Sequence, residues 1–267
     1  MLVSVFAHSV YHDGCVLFRK GGAILAIGSD VTYSFRYTYI LIYLYTQYML
    51  QGSVFMKVIA VLNQKGGSGK TTIATHLARG LQLKGHSVLL VDSDQQGSAR
   101  DWRAVYEDNP VPVIGLDRPT LDKDLKSVSD KDYVVIDGSP QATSLAISAI
   151  KAADFILIPV QPSPYDIWAT SDLVDLVQQR IEMMDGKLKA AFVVSRAIQN
   201  TNIGKEIATA LLDYNLPVLE ARVMQRVAYP NSAALGKTVF DTESPNSNAI
   251  QEITALVSEI QTFFGEE

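Results

Sequence analysis

Leu62-Asn63-Gln64-Lys65-Gly66-Gly67-Ser68-Gly69-Lys70-Thr71-Thr72 is the stretch that decides the fold. Before it, Lys57-Val58-Ile59-Ala60-Val61-Leu62 is a short apolar run, the mark of a strand buried on both faces. After it, Ile73, Ala74, Leu77, Ala78 and Leu81 share one stripe of a helix ending near Gly85. Gly66, Gly67 and Gly69 permit backbone angles and close approaches that a side chain would block. Successive amides and the helix N-terminus then face an anion and stabilise it with their partial positive charge. The expected phosphate-binding residues are Lys65, Gly66, Gly67, Ser68, Gly69, Lys70, Thr71 and Thr72. Lys70 would neutralise the β- and γ-phosphates, and the Thr71 hydroxyl would ligate magnesium. A Gly-Lys-Thr loop between a buried strand and an amphipathic helix is specific for a nucleoside triphosphate, so such a nucleotide with Mg2+ is the expected ligand.

Outward from the loop the alternation continues. Strands are expected over Val88–Asp92, Val111–Ile114, Tyr133–Asp137, Phe155–Pro159, Ala190–Val194 and Val218–Arg222. Helices are expected over Ser98–Tyr106, Pro119–Val128, Thr143–Ala152, Ile167–Met184, Ile203–Tyr214 and Ser247–Phe264. This predicts an α/β P-loop NTPase with a doubly wound, mainly parallel sheet. Two strands end in acids near the loop: Val88-Leu89-Leu90-Val91-Asp92-Ser93-Asp94 and Val134-Val135-Ile136-Asp137. Asp137 is expected to hold magnesium through its water shell, as in a Walker B element.

The whole chain of 267 residues carries 23 basic and 28 acidic side chains, a formal charge of −5. That excludes a broadly basic coat for gripping nucleic acid, though not a local patch. The single cysteine, Cys15, excludes a disulfide framework and any site built from several thiolates. These averages combine two unlike parts. Residues 1–55 hold only Arg19, Lys20, Arg36, Asp13 and Asp30 as charges, together with seven of the twelve tyrosines. The other 20 basic and 26 acidic residues fall in the 212 positions from Met56 onward. A boundary is therefore expected between 55 and 56, with one P-loop domain over 56–267.

Several readings of residues 1–55 compete. Tyr37 to Met56 is 20 residues without a charge, a bilayer-crossing length, but five tyrosines sit poorly in hydrocarbon. A secretory signal is disfavoured because no positive residue precedes Arg19. The segment could also cover an apolar surface. The reading adopted is that Met56 is the natural start and the preceding residues are upstream sequence translated in frame.

The order Lys65-Gly66-Gly67-Ser68-Gly69-Lys70-Thr71-Thr72 resembles the deviant Walker A loop of the ParA/MinD superfamily. The resemblance implies that Lys65 reaches across a dimer interface to a partner's nucleotide, so that dimerisation depends on ATP. It also implies that Asp94 acts in a first switch, positioning the attacking water and the magnesium shell. The runs QGSARDW, VVIDGSPQ, ILIPVQPSPYD and Arg222–Gly236 extend the likeness to the small ParF-type plasmid partition ATPases. By that likeness Arg196, Met224 and Gln225 lie near adenine. The implied activity is ATP hydrolysis coupled to assembly, stimulated by a small centromere-binding partner, with the cytoplasm or nucleoid as its place. One departure stands out. Gln95 occupies the position between switch aspartate and glutamine where the family usually has proline, which predicts a looser loop and slower hydrolysis.

Non-specific DNA binding would draw on Lys187, Lys189, Arg196, Lys205, Arg222 and Arg226, which are scattered in sequence. The alternative is a membrane-cycling regulator of the MinD type. Its basic amphipathic tail has no counterpart in Asn248–Glu267, which contains Glu252, Glu259, Glu266 and Glu267 but no lysine or arginine. No membrane partner is expected. An electron-transfer ATPase like the nitrogenase iron protein would need cluster-holding cysteines, and none follows Cys15.

Overall fold

The computed structural model describes residues 9–12, 15–20, 23–27, 56–128, 130–140, 144–198 and 203–266. The chain divides into two compact units, Met1–Val54 and Phe55–Glu267. In the first, Ser9–His12 (β1), Cys15–Lys20 (β2) and Ala23–Ile27 (β3) form an antiparallel meander. The sequence reading assigned no strand to this part. The signals were there: Asp13-Gly14 and Gly21-Gly22 are hairpin dipeptides standing between apolar runs. Most of the uncharged window Tyr37–Met56 lies outside the described residues.

The second unit alternates strand and helix. Its strands are Lys57–Val61 (β4), Val88–Asp92 (β5), Val113–Gly115 (β6), Tyr133–Asp137 (β7), Phe155–Val160 (β8), Lys189–Ala197 (β9) and Val218–Met224 (β10). The helices begin with Lys70–Leu83 (α1), Ser98–Val105 (α2), Leu121–Asp124 (α3), Ser144–Ala152 (α4) and Pro164–Trp168 (α5). They continue with Ser171–Met183 (α6), Ile203–Leu212 (α7), Ala228–Ala234 (α8), Val239–Thr242 (α9) and Asn248–Phe263 (α10). The sheet runs β10-β9-β8-β4-β7-β5-β6 with every pairing parallel. From central β4 the chain winds toward β6 and returns to lay β7 beside β4. It then crosses to β8 and winds the other way. The reversal opens a crevice at the carboxyl ends of β4 and β7, where open α/β sheets bind ligands.

Strand residues alternate between two cores because successive side chains point to opposite faces. Ile59, Val61, Val135 and Leu157 pack with α1, α2, α8, α9 and α10, while Val58, Ala60, Ile136 and Ile156 pack with α3 to α7. The expected stripe Ile73, Ala74, Leu77, Ala78 and Leu81 is the buried face of α1. His76 adds a polar lock beneath it. Its Nδ1 lies 2.7 Å from the Thr72 carbonyl, which can only accept, so Nδ1 carries the proton. Its Nε2 accepts the Val239 amide at 3.1 Å, tying α1 to α9.

Burial pushes the His76 pKa down to about 4, against opposing contributions from the Thr72 carbonyl and Asp241. Between pH 6.5 and 4 the unfolded chain therefore binds a proton that the folded one refuses. The His76 contribution to stability is full above about 6.5 and falls by roughly 3 kcal/mol as pH drops to about 4, while Asp137, whose folded pKa is raised to about 7, contributes the opposite slope over the same window. The His76 slope is therefore read as a difference: the urea unfolding free energy of the wild type minus that of His76→Phe should fall by about this amount across the range. A difference that does not change with pH would show that His76 does not contribute to the acid limit.

Three elements differ from expectation. The helix expected over Pro119–Val128 is one α-turn, Leu121–Asp124, followed by the 3-10 turn Leu125–Ser127. The helix expected over Ile167–Met184 is broken into α5 and α6. At the break the buried Thr170 donates both its amide, at 3.0 Å, and its hydroxyl, at 2.6 Å, to the Ile167 carbonyl. Two short helices, α8 and α9, follow β10 in a stretch left unassigned. Thr238 and Asp241 close a capping box that starts α9.

The acids of α10 are internal ties. Glu259 accepts the amides of Glu220 and Ala221, both at 2.8 Å, where the register of outermost β10 slips. Glu252, seven residues earlier, accepts the Met224 amide at 3.1 Å. Just beyond α10, Glu266 joins Lys57 at the start of β4 and accepts the Tyr133 hydroxyl at 2.6 Å; burial would raise its carboxyl, but Lys57, Tyr133 and Gln261 together pull it down to about 2. The apolar face of α10, Ile253, Leu256, Val257 and Ile260, is buried in the core.

Candidate functional site

The loop between β4 and α1 borders a cleft of about 950 Å³ at the switch point. Gly67 and Gly69 hold φ of +76° and +94°, left-handed values that an L side chain rarely adopts. Five bonds fix the loop from outside. Asn63 donates its Nδ2 to the Pro159 carbonyl at 2.6 Å and accepts the Lys65 amide at 2.8 Å. Ser195 Oγ donates to the Ser68 carbonyl at 2.7 Å, and Gln161 Nε2 to the Gly67 carbonyl at 2.8 Å. Arg196 Nη1 reaches the same Gly67 carbonyl at 3.1 Å. The cradle is thereby built before any ligand arrives. Gly66, Gly67, Gly69, Lys70, Thr71 and Thr72 line it, and Ser68 is buried behind.

Lys70 is only 7% exposed, and its ammonium donates to the Lys65 carbonyl at 3.1 Å. Burial lowers its pKa, while the nearby charges of Asp137 and Asp94 oppose the fall. Lys65 points elsewhere. Its Nζ lies 2.5 Å from Oδ2 of Asp166, a side chain 4% exposed at the centre of α5. The other oxygen, Oδ1, is buried without a partner.

Asp137 ends β7, fully sequestered, and neither carboxylate oxygen has a hydrogen-bond partner. Burial raises its pKa to about 7, opposed by the nearby Thr71 hydroxyl, which lies outside hydrogen-bond geometry. Asp92 raises it further and Lys70 opposes. An unpartnered buried carboxylate beside a hydroxyl fits a divalent cation, and Asp94 stands near enough for its charge to add to the rise of the Asp137 pKa. Among the described residues no cluster of three or more His, Cys, Asp or Glu could hold a metal. Magnesium in such a place takes one or two carboxylates and fills its shell with water and phosphate oxygens. Gly138 follows with little room: a Cβ there would meet Leu62 Cδ2 at 2.3 Å and the Val61 carbonyl at 2.8 Å.

Asp94 lines the cleft at the start of a turn closed by the Gly97 amide, which donates to the Asp94 carbonyl at 3.0 Å. The turn around Gln95 carries hydrogen bonds of its own. Asp94 Oδ1 accepts the Gln96 amide at 3.0 Å, and Arg100 Nη2 donates to the Asp94 carbonyl at 3.0 Å. Beneath it, fully buried Asp92 accepts the Asp94 amide at 3.0 Å and the α2 amides of Ala99 and Arg100 at 3.1 and 2.9 Å. Side-chain bonds thus restrain the turn on both sides of Gln95.

Arg196, Met224 and Gln225 line the same cleft, with Ser195, Val227 and Tyr229. Arg196 has φ +53° and Gln225 donates its amide to the Ala197 carbonyl at 2.8 Å. Of the cations considered for DNA, Lys187 is exposed, Lys189 is exposed but bonded to the Phe263 carbonyl, and Arg222 is partly buried. Arg226 is committed to Glu252, which is a correction to its place in a DNA-facing set. The side chain of Lys205 lies outside the described residues. Asn63, Asp92, Gln161, Asp166 and Ser195 were not singled out from sequence as site residues. Only Asp92, an acid closing a strand, carried a local signal.

A family model described as the CobQ/CobB/MinD/ParA nucleotide binding domain matches residues 59–239. A maintenance of carboxysome distribution protein A from Halothiobacillus neapolitanus is 35% identical over 208 residues, 76% of this chain and 95% of that one. A protein ParA from Rhizobium radiobacter is 28% identical, covering 72% of this chain and 89% of its own. Among solved structures, the septum site-determining protein MinD from Pyrococcus horikoshii, complexed with Mg-ADP, superposes with a TM-score of 0.61. That match has 20% identity and covers 79% of this chain and 98% of the other, a likeness of fold.

Proposed function

The chain belongs to the CobQ/CobB/MinD/ParA nucleotide-binding family, and from that premise we propose that it is a magnesium-dependent ATPase of the ParA type that distributes a cellular cargo, plasmid DNA first among the candidates. The observation that carries this is one loop bearing two lysines, Lys70 buried in the cradle and Lys65 outside it. A single phosphate chain needs only the first.

Lys70 and the loop amides would neutralise the β- and γ-phosphates, and Thr71 would hold the magnesium together with Asp137 and Asp94, which act through its water shell. When bound, the ion would supply further neutralisation of the phosphate charge. Asp94 orients the attacking water, which adds to the γ-phosphorus as ADP leaves. Arg196, Met224 and Gln225 receive the adenine. Lys65 leaves Asp166 to reach the nucleotide of a second copy, which makes self-association depend on ATP. A centromere-binding partner then promotes hydrolysis and resets the cycle. DNA is bound non-specifically by cations that the dimer brings together, so binding weakens steeply with salt.

Asp94→Ala tests the chemistry. It should bind Mg-ATP within a few-fold of wild type and lose steady-state phosphate release by about 100-fold or more. Equal turnover in the variant would remove Asp94 from the reaction. The 35% identity to a carboxysome distribution protein favours a second cargo, a protein compartment in place of a plasmid. The gene neighbourhood separates the two readings: a small DNA-binding partner beside this gene, or compartment shell proteins.

A MinD-like membrane cycle is the alternative, and one observation weighs against it. The tail buries its apolar face and ties its acids inward. We take the working unit to be 56–267; the mass of the native polypeptide tests whether translation starts at Met56.

A further inference from the structure

Glu252 stands on the second turn of α10, and its carboxylate gathers four donors from one short segment. Oε1 accepts from Arg226 Nε at 2.7 Å and Nη2 at 2.5 Å. Oε2 accepts the Met224 amide at 3.1 Å and the Tyr229 hydroxyl at 2.9 Å. The glutamate side chain is 13% exposed and that of Arg226 24%. Tyr229 is 5% exposed, and burial with the Glu252 charge pushes its phenol far up, so the hydroxyl stays a donor.

Met224, Gln225, Arg226, Val227 and Tyr229 form the wall of the cleft that faces the phosphate cradle. The phosphates are claimed by amides and Lys70 at one end, so the base must lie toward this wall. The wall has other supports: Tyr229 packs in the core with its ring 5.2 Å from that of His76, and Met224 pairs with Ala197 of β9, to whose carbonyl the Gln225 amide also donates. The Met224 amide, however, lies on the outer side of the edge strand, where no further strand accepts it. Without Glu252 the Met224 amide and Arg226 lose their acceptor together and the Tyr229 hydroxyl keeps only the Ala249 carbonyl at 3.5 Å, and buried polar groups left unmet favour rearrangement.

We propose that Glu252 is a positioning residue for the base, fixing the wall from the C-terminal helix so that affinity for the ring, and not for the phosphates, depends on it. This rests on the ATP reading of the cleft and adds a residue that touches no ligand. The carboxylate acts through Met224, Arg226 and Tyr229, and the cradle across the cleft is anchored independently by Asn63, Gln161 and Ser195.

The test is calorimetric titration of the full chain, with magnesium, using ATP and inorganic tripolyphosphate, which offers phosphates but no base. Glu252→Ala should weaken ATP at least tenfold and change tripolyphosphate less than twofold. Glu252→Gln keeps an acceptor for Met224 and Tyr229 but gives up the charge facing Arg226, and should fall between. The Gln variant alone decides the matter if the Ala variant fails to fold. An equal loss for both ligands would make Glu252 a general support of the fold and overturn the proposal. Unchanged ATP affinity would overturn it too. Wild-type protein that prefers tripolyphosphate to ATP would fail earlier, at the ATP reading itself, before any variant is compared.

Discussion

Lys70→Ala is expected to weaken Mg-ATP binding by about 100-fold or more, with the fold intact by circular dichroism. The ammonium is buried in the cradle and opposes two carboxylates, Asp137 and Asp94. Bound phosphate would face those acids without it. A hydrogen bond to a charged group contributes roughly 1.5–3 kcal/mol, and a buried charge left unpaired adds to the loss. About 3 kcal/mol is on the order of 150-fold in a dissociation constant. A second consequence has the same sign. Losing the lysine removes a charge that opposes the rise of the Asp137 pKa, already near 7. The carboxyl would then be more often protonated at neutral pH and a poorer magnesium ligand. Titration at pH 6.5 and 8.5 should show a larger defect at the lower pH. Near-wild-type affinity at both would place the triphosphate somewhere other than this loop.

Changes at Lys65 and Asp166 should move self-association in opposite directions. Lys65→Ala is expected to bind ATP within a few-fold of wild type and to remain monomeric with it. Asp166→Asn is expected to dimerise at least about tenfold more tightly. The pair is lopsided: the lysine is 39% exposed and the aspartate 4%, with one oxygen unpartnered. For the exposed partner the ion pair is worth little, about 0–1 kcal/mol. Its departure is costly because it strands a buried carboxylate, a penalty of roughly 1–3 kcal/mol. A symmetric dimer meets that penalty twice, and the asparagine removes it. Sedimentation velocity with ATP, in an Asp94→Ala background that holds the nucleotide, reads both variants. Normal dimerisation of Lys65→Ala would end the cross-subunit role, and an unmoved Asp166→Asn would show that the ion pair does not restrain assembly.

The strand, loop and helix from Lys57 to Leu83 were legible because each carries a local signal: an unbroken apolar run, glycines, a 3.6-residue stripe. Asp137 was legible as an acid closing such a run. Asp166 and Glu252 were not. In sequence they look like solvated helix charges, and only contacts 101 and 26 residues away give them meaning. The break between α5 and α6 is similarly silent, because apolar spacing continues through Thr170 while its hydroxyl takes the Ile167 carbonyl. The hydrogen bonds by which Asp94, Asp92 and Arg100 hold the turn around Gln95 were equally silent in sequence. Helices of seven and four residues, α8 and α9, were too short for any period to register.

The glutamates of α10 also bear on how copies of this protein can stack. Both borders of the sheet are closed to templating. One is β10, with the amides of Glu220, Ala221 and Met224 already accepted by Glu259 and Glu252. The other, β6, has three residues, too few to seed a ladder. A polymer of the second unit cannot extend this sheet as a continuous β-ribbon. It must grow through loops and helix surfaces, whose contacts a nucleotide can make and break. Crowding on a cargo would then concentrate the protein without inviting the irreversible strand exchange that leads to amyloid.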